Sequence, residues 1–490
     1  MIPYIIKSFR GGVSDESNKG IAGAYKFGYA LDIHGRDDIL TNKQAMVTLL
    51  SDAATVFGTG NLATTQTGIT KFFVPASDGT TYCFSSTGSV FARSGDGIFN
   101  FVYNDENGDI KGAAEWQLSD GVNYLYWATN TSVARKELAG VDILPASGTA
   151  RWTDVEADYR TTLDPADYHT MKAATGKLMI ANGNYLASIN YDGDFDAAEF
   201  NVRPGNLIKA LEERDDYVIL GSHRKENSEE GHIWSCMVSA TNWIQKKKIP
   251  VKGVNALIDT EMLLLQGGDK GELFFSDFNN AVPLHGIYGG GQCTPEGVSV
   301  ENDLAVFGMY GGDNPGIWSY GRSRKNRPMA LGYDYRLAQT VLGNAISTIA
   351  AVAMIDGLLL ASWGTATGYG VDCVSSTTKA AAVYEGLEFD GGRPYWKKNF
   401  NHIVLNMLPL PAGCTISAKF KLDKDVSWKY AVTGNNATIF SEADAVEAIF
   451  STGQKANIYE VGIESNPSGN TSPGIIAINT YIDESGTEFN

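Results

Sequence analysis

Along most of the chain, apolar residues come in short runs that stop at Gly, Asn, Asp or Pro. Between Glu296 and Gly321, Val298 and Val300 begin an alternation that halts at Glu301-Asn302-Asp303. Leu304–Gly308 follows and stops at Gly311-Gly312-Asp313-Asn314-Pro315, and Ile317–Tyr320 makes a third run. Runs of about 4–8 apolar residues cut by turn formers predict strands, not helices. This stretch therefore predicts a three-strand antiparallel meander.

The same logic recurs. A turn followed by a buried run appears at residues 79–84, 121–127, 176–181, 216–221, 261–266, 302–307 and 356–361. Most of these have an alternating segment before them, such as Ile208–Leu211 or Ile349–Met354, and another after, such as Ser89–Arg93 or Ile233–Met237. Short strands recurring about every 40–50 residues predict the blades of a β-propeller, because one such sheet cannot bury both faces alone. Seven blades is the literal count, and six or eight fit within the error of strand boundaries. Two or three tandem β-sandwiches would share the strand spacing. The absence of a linker across the recurrence favours the propeller.

The pattern changes near Gly391-Gly392-Arg393-Pro394. Ile416, Ala418, Phe420 and Leu422 alternate with Ser417, Lys419 and Lys421, a half-buried strand, and Ile458–Ile463 and Ile475–Ile482 give two more. Ser441–Phe450 is expected to form a short helix or helical turn. The fold class is thus all-β: residues 1–65 an extended segment closing or leading into the propeller, 66–390 the propeller, and 391–490 a C-terminal β-sandwich.

Charge narrows the functions. The formal net charge is −17, with 56 acidic and 39 basic residues. That opposes specific nucleic-acid binding, which needs clustered Lys and Arg against phosphates. The basic cluster Lys246-Lys247-Lys248 is expected in a solvated turn after Trp243-Ile244. The five cysteines are scattered without a CxxC pair, so they predict buried reduced thiols and no zinc site. The longest apolar stretch, Ile346–Ala361, is broken by Asp356-Gly357 and is too short for a membrane span. The N-terminal apolar run is too short for a secretory signal.

Candidate chemistry is sparse. Asp192-Gly-Asp194-Phe-Asp196 and Asp105-Glu-Asn107-Gly-Asp109 place oxygen ligands at alternate positions, the beginning of a calcium loop. Asp192, Asp194 and Asp196 are the weak metal candidates, but no distal Glu follows in register and an Asx turn explains the spacing. The six histidines stand in unrelated contexts, and His223 and His232 flank a charged loop at 224–230. No HExxH, GxSxG or repeated sialidase-type box occurs. The expectation is a non-enzyme without cofactors. Trp127, Trp234, Trp318 and Trp363 fall inside strand patterns and predict core packing.

The two ends carry a resemblance. Phe9-Arg10-Gly11-Gly12, the Gly-rich aromatic stretch Gly20–Gly28, Leu31-Asp32-Ile33 and the charged turn His34-Gly35-Arg36-Asp37-Asp38 resemble the opening of tailed-bacteriophage virion proteins, including tail nozzle proteins. Arg10 and Asp32 also suit an ordinary ion pair. A strand, Leu410-Pro411-Ala412-Gly413, another strand and a final pair resemble the C-terminal domain of phage tail-associated propellers. The resemblance implies a structural component of a virion, in the tail or at the head-to-tail junction. It would be assembled in the host cytoplasm and make interfaces with other tail proteins and with copies of itself in a symmetric ring, without a membrane. A receptor- or glycan-binding propeller at the tail tip, or less readily a glycan-cleaving enzyme, are the alternatives.

Overall fold

The computed structural model describes residues 2–14, 23–35, 39–51, 68–94, 99–138, 152, 154–174, 176–224, 230–237, 243–284, 286–301, 303–322, 324–325, 327–355, 357–423 and 425–483. Gly20–Ala22, Arg36-Asp37-Asp38, residues 225–229 and one of the six histidines, His285, lie outside them.

Seven antiparallel four-stranded sheets recur in order. Blades 1 to 6 occupy residues 70–104, 112–160, 171–201, 206–249, 254–283 and 298–335. Blade 7 takes three strands from residues 348–379 and its fourth, Gln44–Ser51, from near the N-terminus. The first strands of successive blades touch one another, and that of blade 7 touches that of blade 1. The ring is closed. These sheets in a closed ring are a β-propeller, with the first strands around the axis.

Each recurring apolar run is the second strand of a blade, and its burial explains its composition. Tyr82, Cys83 and Phe84, then Leu178 and Ile180, then Leu263 and Leu265 have no more than trace exposure. Parts of both side-chain sets are covered because neighbouring blades stack on the two faces. Ile346–Ala361 divides between Thr348–Ile355 and Leu358–Gly364 of blade 7, and no helix among the described residues is long and apolar enough to cross a membrane.

The fourth strands are where expectation and structure part. Lys246-Lys247-Lys248 lies in the strand Trp243–Ile249 at the outer edge of blade 4, not in a turn. An edge strand with lysines resists pairing with other chains, so charge and strand are compatible there. Ser441–Phe450 contains no helix: Glu447–Ala456 is a strand paired with Lys398–Met407. The α-helix found among the described residues is the single turn Ala338–Val341.

A short parallel pair, Gly12–Val13 with Ala24–Tyr25, and two larger sheets complete the chain. One runs in the order Ile2–Ile6, Ile475–Asp483, Lys398–Met407, Glu447–Ala456. The other runs Lys429–Tyr430, Thr415–Leu422, Tyr459–Asn466, Ala382–Glu385, Phe27–Tyr29. They share buried residues: Phe400 stacks on Tyr459 at 4.7 Å and meets Phe420 edge-on at 5.9 Å. Ala382–Glu385 therefore belongs to a C-terminal sheet although it precedes residue 391, and the last strand that residues 348–379 give to blade 7 ends at Lys379. The N-terminal segment serves four sheets in turn: the four-stranded C-terminal sheet, its own parallel pair, the five-stranded sheet and blade 7.

A buried polar hub holds these parts together. Asn42, 1% exposed, donates to Ala380 O at 2.7 Å and Ser465 O at 2.9 Å, and accepts from Ser465 Oγ at 2.7 Å. Beside it, Lys43 Nζ lies 2.5 Å from Asp334 Oδ2 in blade 6, a carboxylate 2% exposed. Asp32 accepts the Gly35 N–H at 2.8 Å, a turn-closing contact.

Candidate functional site

The axis of the propeller gathers polar side chains that its apolar first strands would not be expected to carry. In blade 1 the register slips between Thr70 and Phe72, in blade 4 between Ile208 and Ala210, and in blade 5 between Val254 and Ala256. The skipped residues are Lys71, Lys209 and Asn255. A β-bulge re-aims the side chain it carries, and here three bulges at equivalent places present two ammonium groups and an amide.

Their partners fix them. Lys71 Nζ sits 2.8 and 3.0 Å from the two Asp109 carboxylate oxygens. Lys209 Nζ donates to Asn255 Oδ1 at 2.8 Å. Asn255 Nδ2 in turn donates to Gln266 Oε1 at 3.0 Å and Gly268 O at 2.7 Å, and Gln266 Oε1 also accepts from Cys293 N at 2.9 Å. These buried bonds leave Asn255 one orientation, with its oxygen toward Lys209. Half-buried Tyr168, from the connection between blades 2 and 3, places its ring 5.4 Å from Lys209 Nζ and 5.8 Å from Lys71 Nζ. One tyrosine thus reaches toward blades 1 and 4 together.

A second group lies along the same strands. Lys172 of blade 3 is 2.6 Å from Glu212 of blade 4, and Glu296, ahead of blade 6, feels both charges. Burial pushes the Glu296 carboxyl up to about 7 against the pull of Lys172, with Glu212 adding to the rise. Burial also pulls the Lys209 ammonium down to about 8. The axis therefore holds a carboxyl and an amine that both change charge near neutral pH. Such groups suit binding of a polar ligand or of a proton.

The residues singled out from sequence lie elsewhere. Asp192 and Asp194 occupy the exposed turn between the third and fourth strands of blade 3, and exposed Asp196 lies in the fourth strand opposite Ser188. Asn190 Oδ1 accepts the N–H groups of Asp192 and Asp194 at 2.9 and 2.8 Å, and Asp196 accepts the Ala198 N–H at 2.9 Å. The spacing is that of an Asx turn. In the other acidic turn, Asp105 is 1% exposed and accepts the Trp127 indole N–H at 2.7 Å, while Asp109 pairs with Lys71. Among the described residues, no group of three or more His, Cys, Asp or Glu side chains is placed to hold a metal ion.

Trp127, Trp234, Trp318 and Trp363 are all buried, each with an acceptor for its N–H: Asp105, Ser222, the Asn314 carbonyl and Asp372. The five cysteines are buried free thiols. His223 and His232 lie in paired strands of blade 4, before and after residues 225–229 in the chain. Sequence reading passed over Lys71, Tyr168, Lys172, Lys209, Glu212, Asn255 and Glu296. A signal was there in part: Thr-Lys-Phe-Phe-Val, Leu-Ile-Lys-Ala-Leu and Val-Asn-Ala-Leu-Ile each set one polar residue inside an apolar first strand.

No family model matches the chain, and no curated protein matches it. Solved structures overlap it loosely. The WD40 β-propeller domain of Doa1 is 13% identical with a TM-score of 0.42, covering 62% of this chain and 93% of that one. The β-propeller domain of Myceliophteria thermophila Cps50 (Swd1) is 10% identical with a TM-score of 0.39, over 60% of this chain and 93% of that one. A chain of the mitotic checkpoint complex is 10% identical with a TM-score of 0.42, over 68% and 94%. The propeller assignment rests on the closed ring of sheets itself.

Proposed function

We propose that this chain is a structural, interface-making component of a tailed-phage particle, in the tail or at the head-to-tail junction. In this reading the two C-terminal sheets form a β-sandwich that docks on neighbouring subunits, and the propeller is the rigid body that carries it. One observation supports it most. Of 18 large apolar side chains that are exposed among the described residues, eight lie between residues 391 and 490. Val426, Tyr430, Ile439, Val446 and Ile449 cluster in one excursion and its following strand, with exposures from 48% to 93%. A ninth, Ile5, lies on the strand paired to the same unit. Apolar surface concentrated in one unit marks an interaction surface.

The terminal resemblances supply the phage context, and the −17 charge suits a surface beside DNA that must not hold it. Sedimentation velocity of the purified chain tests the interface reading: oligomers that Val426→Asp plus Ile449→Asp convert to monomers are expected. A monomeric wild type at every concentration removes self-assembly from the reading. Gold-labelled antibody against this chain, applied to particles, tests location; labelling confined to unassembled lysate protein would refute the virion role.

A further inference from the structure

Blade 4 carries two nitrogen bases, Lys209 and His223, on which one carboxylate, the exposed Asp167, acts from a distance. Lys209 Nζ has the neutral Asn255 oxygen at 2.8 Å and the Tyr168 ring at 5.4 Å. Its bulged position holds it toward the axis, and the buried Asn255–Gln266 relay behind it leaves no slack. His223, on the adjacent strand of the same blade, has a buried Nδ1 without a hydrogen-bond partner. Its Cβ packs against Gly253, where an added Cβ would lie 2.7 Å away, which places the base of the imidazole beside the strand that carries Asn255. A buried polar nitrogen without a partner costs about 1–3 kcal/mol. That cost falls on a position where a second nitrogen is also undercompensated.

We infer that Lys209 and His223, on the first two strands of blade 4 beside Asn255 and Tyr168, bind a small oxyanion such as a sulfate, phosphate or carboxylate. An oxyanion accepts from several donors at once, which is what this pair lacks. The charged neighbours are few. Asp167 is exposed and is the anion that acts on both groups, Lys71 is engaged by Asp109, and the Cys293 thiol is held neutral by burial. Burial first, then the Lys209 charge, pulls the His223 imidazole below its ordinary value. Burial likewise pulls the Lys209 amine down to about 8. An anion bound between them reverses both shifts, so binding takes up protons and weakens as pH rises. The inference does not depend on the phage reading, since it concerns the propeller axis and not the C-terminal surface.

Calorimetric titration of the full chain with sodium sulfate at fixed ionic strength is the test, because sulfate keeps one charge across the range. Saturable binding to one site is expected, with proton uptake visible as a dependence on buffer ionisation heat. Affinity should fall about tenfold between about pH 6 and about pH 9. Lys209→Met should weaken binding at least tenfold, and His223→Gln should remove the acid part of the pH dependence. Lys111→Met, whose ammonium is held by Asn130 and the Ala166 carbonyl, should leave binding unchanged. Should Lys209→Met fail to fold, sulfate protection of Lys209 from an amine-acylating reagent in the wild type gives the same answer by peptide mapping. No saturable sulfate binding, or binding that survives Lys209→Met, overturns the inference, as does acylation of Lys209 at an unchanged rate under saturating sulfate.

Discussion

The propeller and the C-terminal sheets solve the same problem, burying strands, by opposite routes. Blades 1 to 6 each pair four strands in chain order, so every hydrogen-bonded neighbour is a sequence neighbour. The C-terminal sheets pair Ile2–Ile6 with Ile475–Asp483 and Phe27–Tyr29 with Ala382–Glu385, across most of the chain. Local pairing closes short loops at small entropic cost, whereas distant pairing must wait until the intervening chain is in place. The polar inventory differs accordingly. Within the blades, the Trp127, Trp234, Trp318 and Trp363 indoles find acceptors within about one blade of sequence, while those of Trp116 and Trp152 find none among the described residues. At the join, Asn42 and Lys43 bind three segments that share no local turn.

The join is the place to break this comparison most severely. Lys43→Met removes one half of a buried ion pair and strands the Asp334 carboxylate, 2% exposed, in blade 6. Breaking such a pair costs about 3–5 kcal/mol. The facing Asp334 charge holds the Lys43 ammonium well above its ordinary value despite burial. Because the folded value is the higher one, the contribution is complete below the unfolded value and fades only as strong alkali titrates the folded amine. Denaturant unfolding at neutral pH should show the loss. If Lys43→Met stays within about 1 kcal/mol of wild type, the join is not held by this pair.

A local change should cost less. Trp127→Phe keeps most of the ring volume in blade 2 but leaves Asp105 without its 2.7 Å indole donor. The expected loss is about 1–3 kcal/mol, measured by the same unfolding experiment. Combined with Lys43→Met it should add to within about 0.5 kcal/mol, since the two sites share no partner. A large coupling energy would mean that blades and join unfold through one shared network, against the contrast drawn above.

That contrast also explains what could be read from the chain. The second strand of each blade was legible because both its faces are buried, so Tyr217–Gly221 or Leu304–Met309 announces itself as an apolar run. The fourth strands were not. Trp243–Ile249 buries only Ile249 and carries three consecutive lysines, so it shows no period, and Ala281–Pro283 is too short to show one. The strand Gln44–Ser51 could not be given to blade 7 from sequence, since nothing local says that its partner lies at Tyr369–Lys379. Glu447–Ala456 was misread because its apolar residues, Ala448 and Phe450 among them, follow an acidic turn that resembles a helix start. The polar cluster at the axis was invisible for a similar reason. Lys71, Lys209 and Tyr168 come together only when the ring closes.

The axis should respond to pH where the blade rims do not. The Glu296 carboxyl is pushed by burial up to about 7, above its value in the unfolded chain. The folded state therefore holds more protons than the unfolded state between about pH 4.5 and pH 7, and stability falls as pH rises through that window. Glu296→Gln should flatten this slope and stabilise the protein by roughly 1–2 kcal/mol above pH 7. Thermal unfolding followed from about pH 5 to about pH 8 reads both effects. An unchanged slope would place the titrating group elsewhere.

The smallest effect is expected at the acidic turn of blade 3. Ca²⁺ needs six to eight oxygens, most of them free to turn inward. Here the backbone N–H groups of Asp192 and Asp194 are both committed to Asn190 Oδ1, and Asn190 Nδ2 donates to Asp194 Oδ2 at 3.2 Å. The Asp196 carboxylate caps Ala198 on the far side of the turn. Two of the three carboxylates, those of Asp194 and Asp196, are thus engaged with the hairpin itself, and a cation would have to draw them from those contacts. A chelator should leave the melting temperature unchanged, and Asp194→Ala should cost no more than about 0.5 kcal/mol, as for other exposed turn positions. Asn190→Ala should cost more than Asp194→Ala, because the amide and not the carboxylate organises the turn. A melting temperature that drops by several degrees with chelator in the wild type, and not in Asp194→Ala, would instead make the carboxylates the organising groups and the turn a cation site.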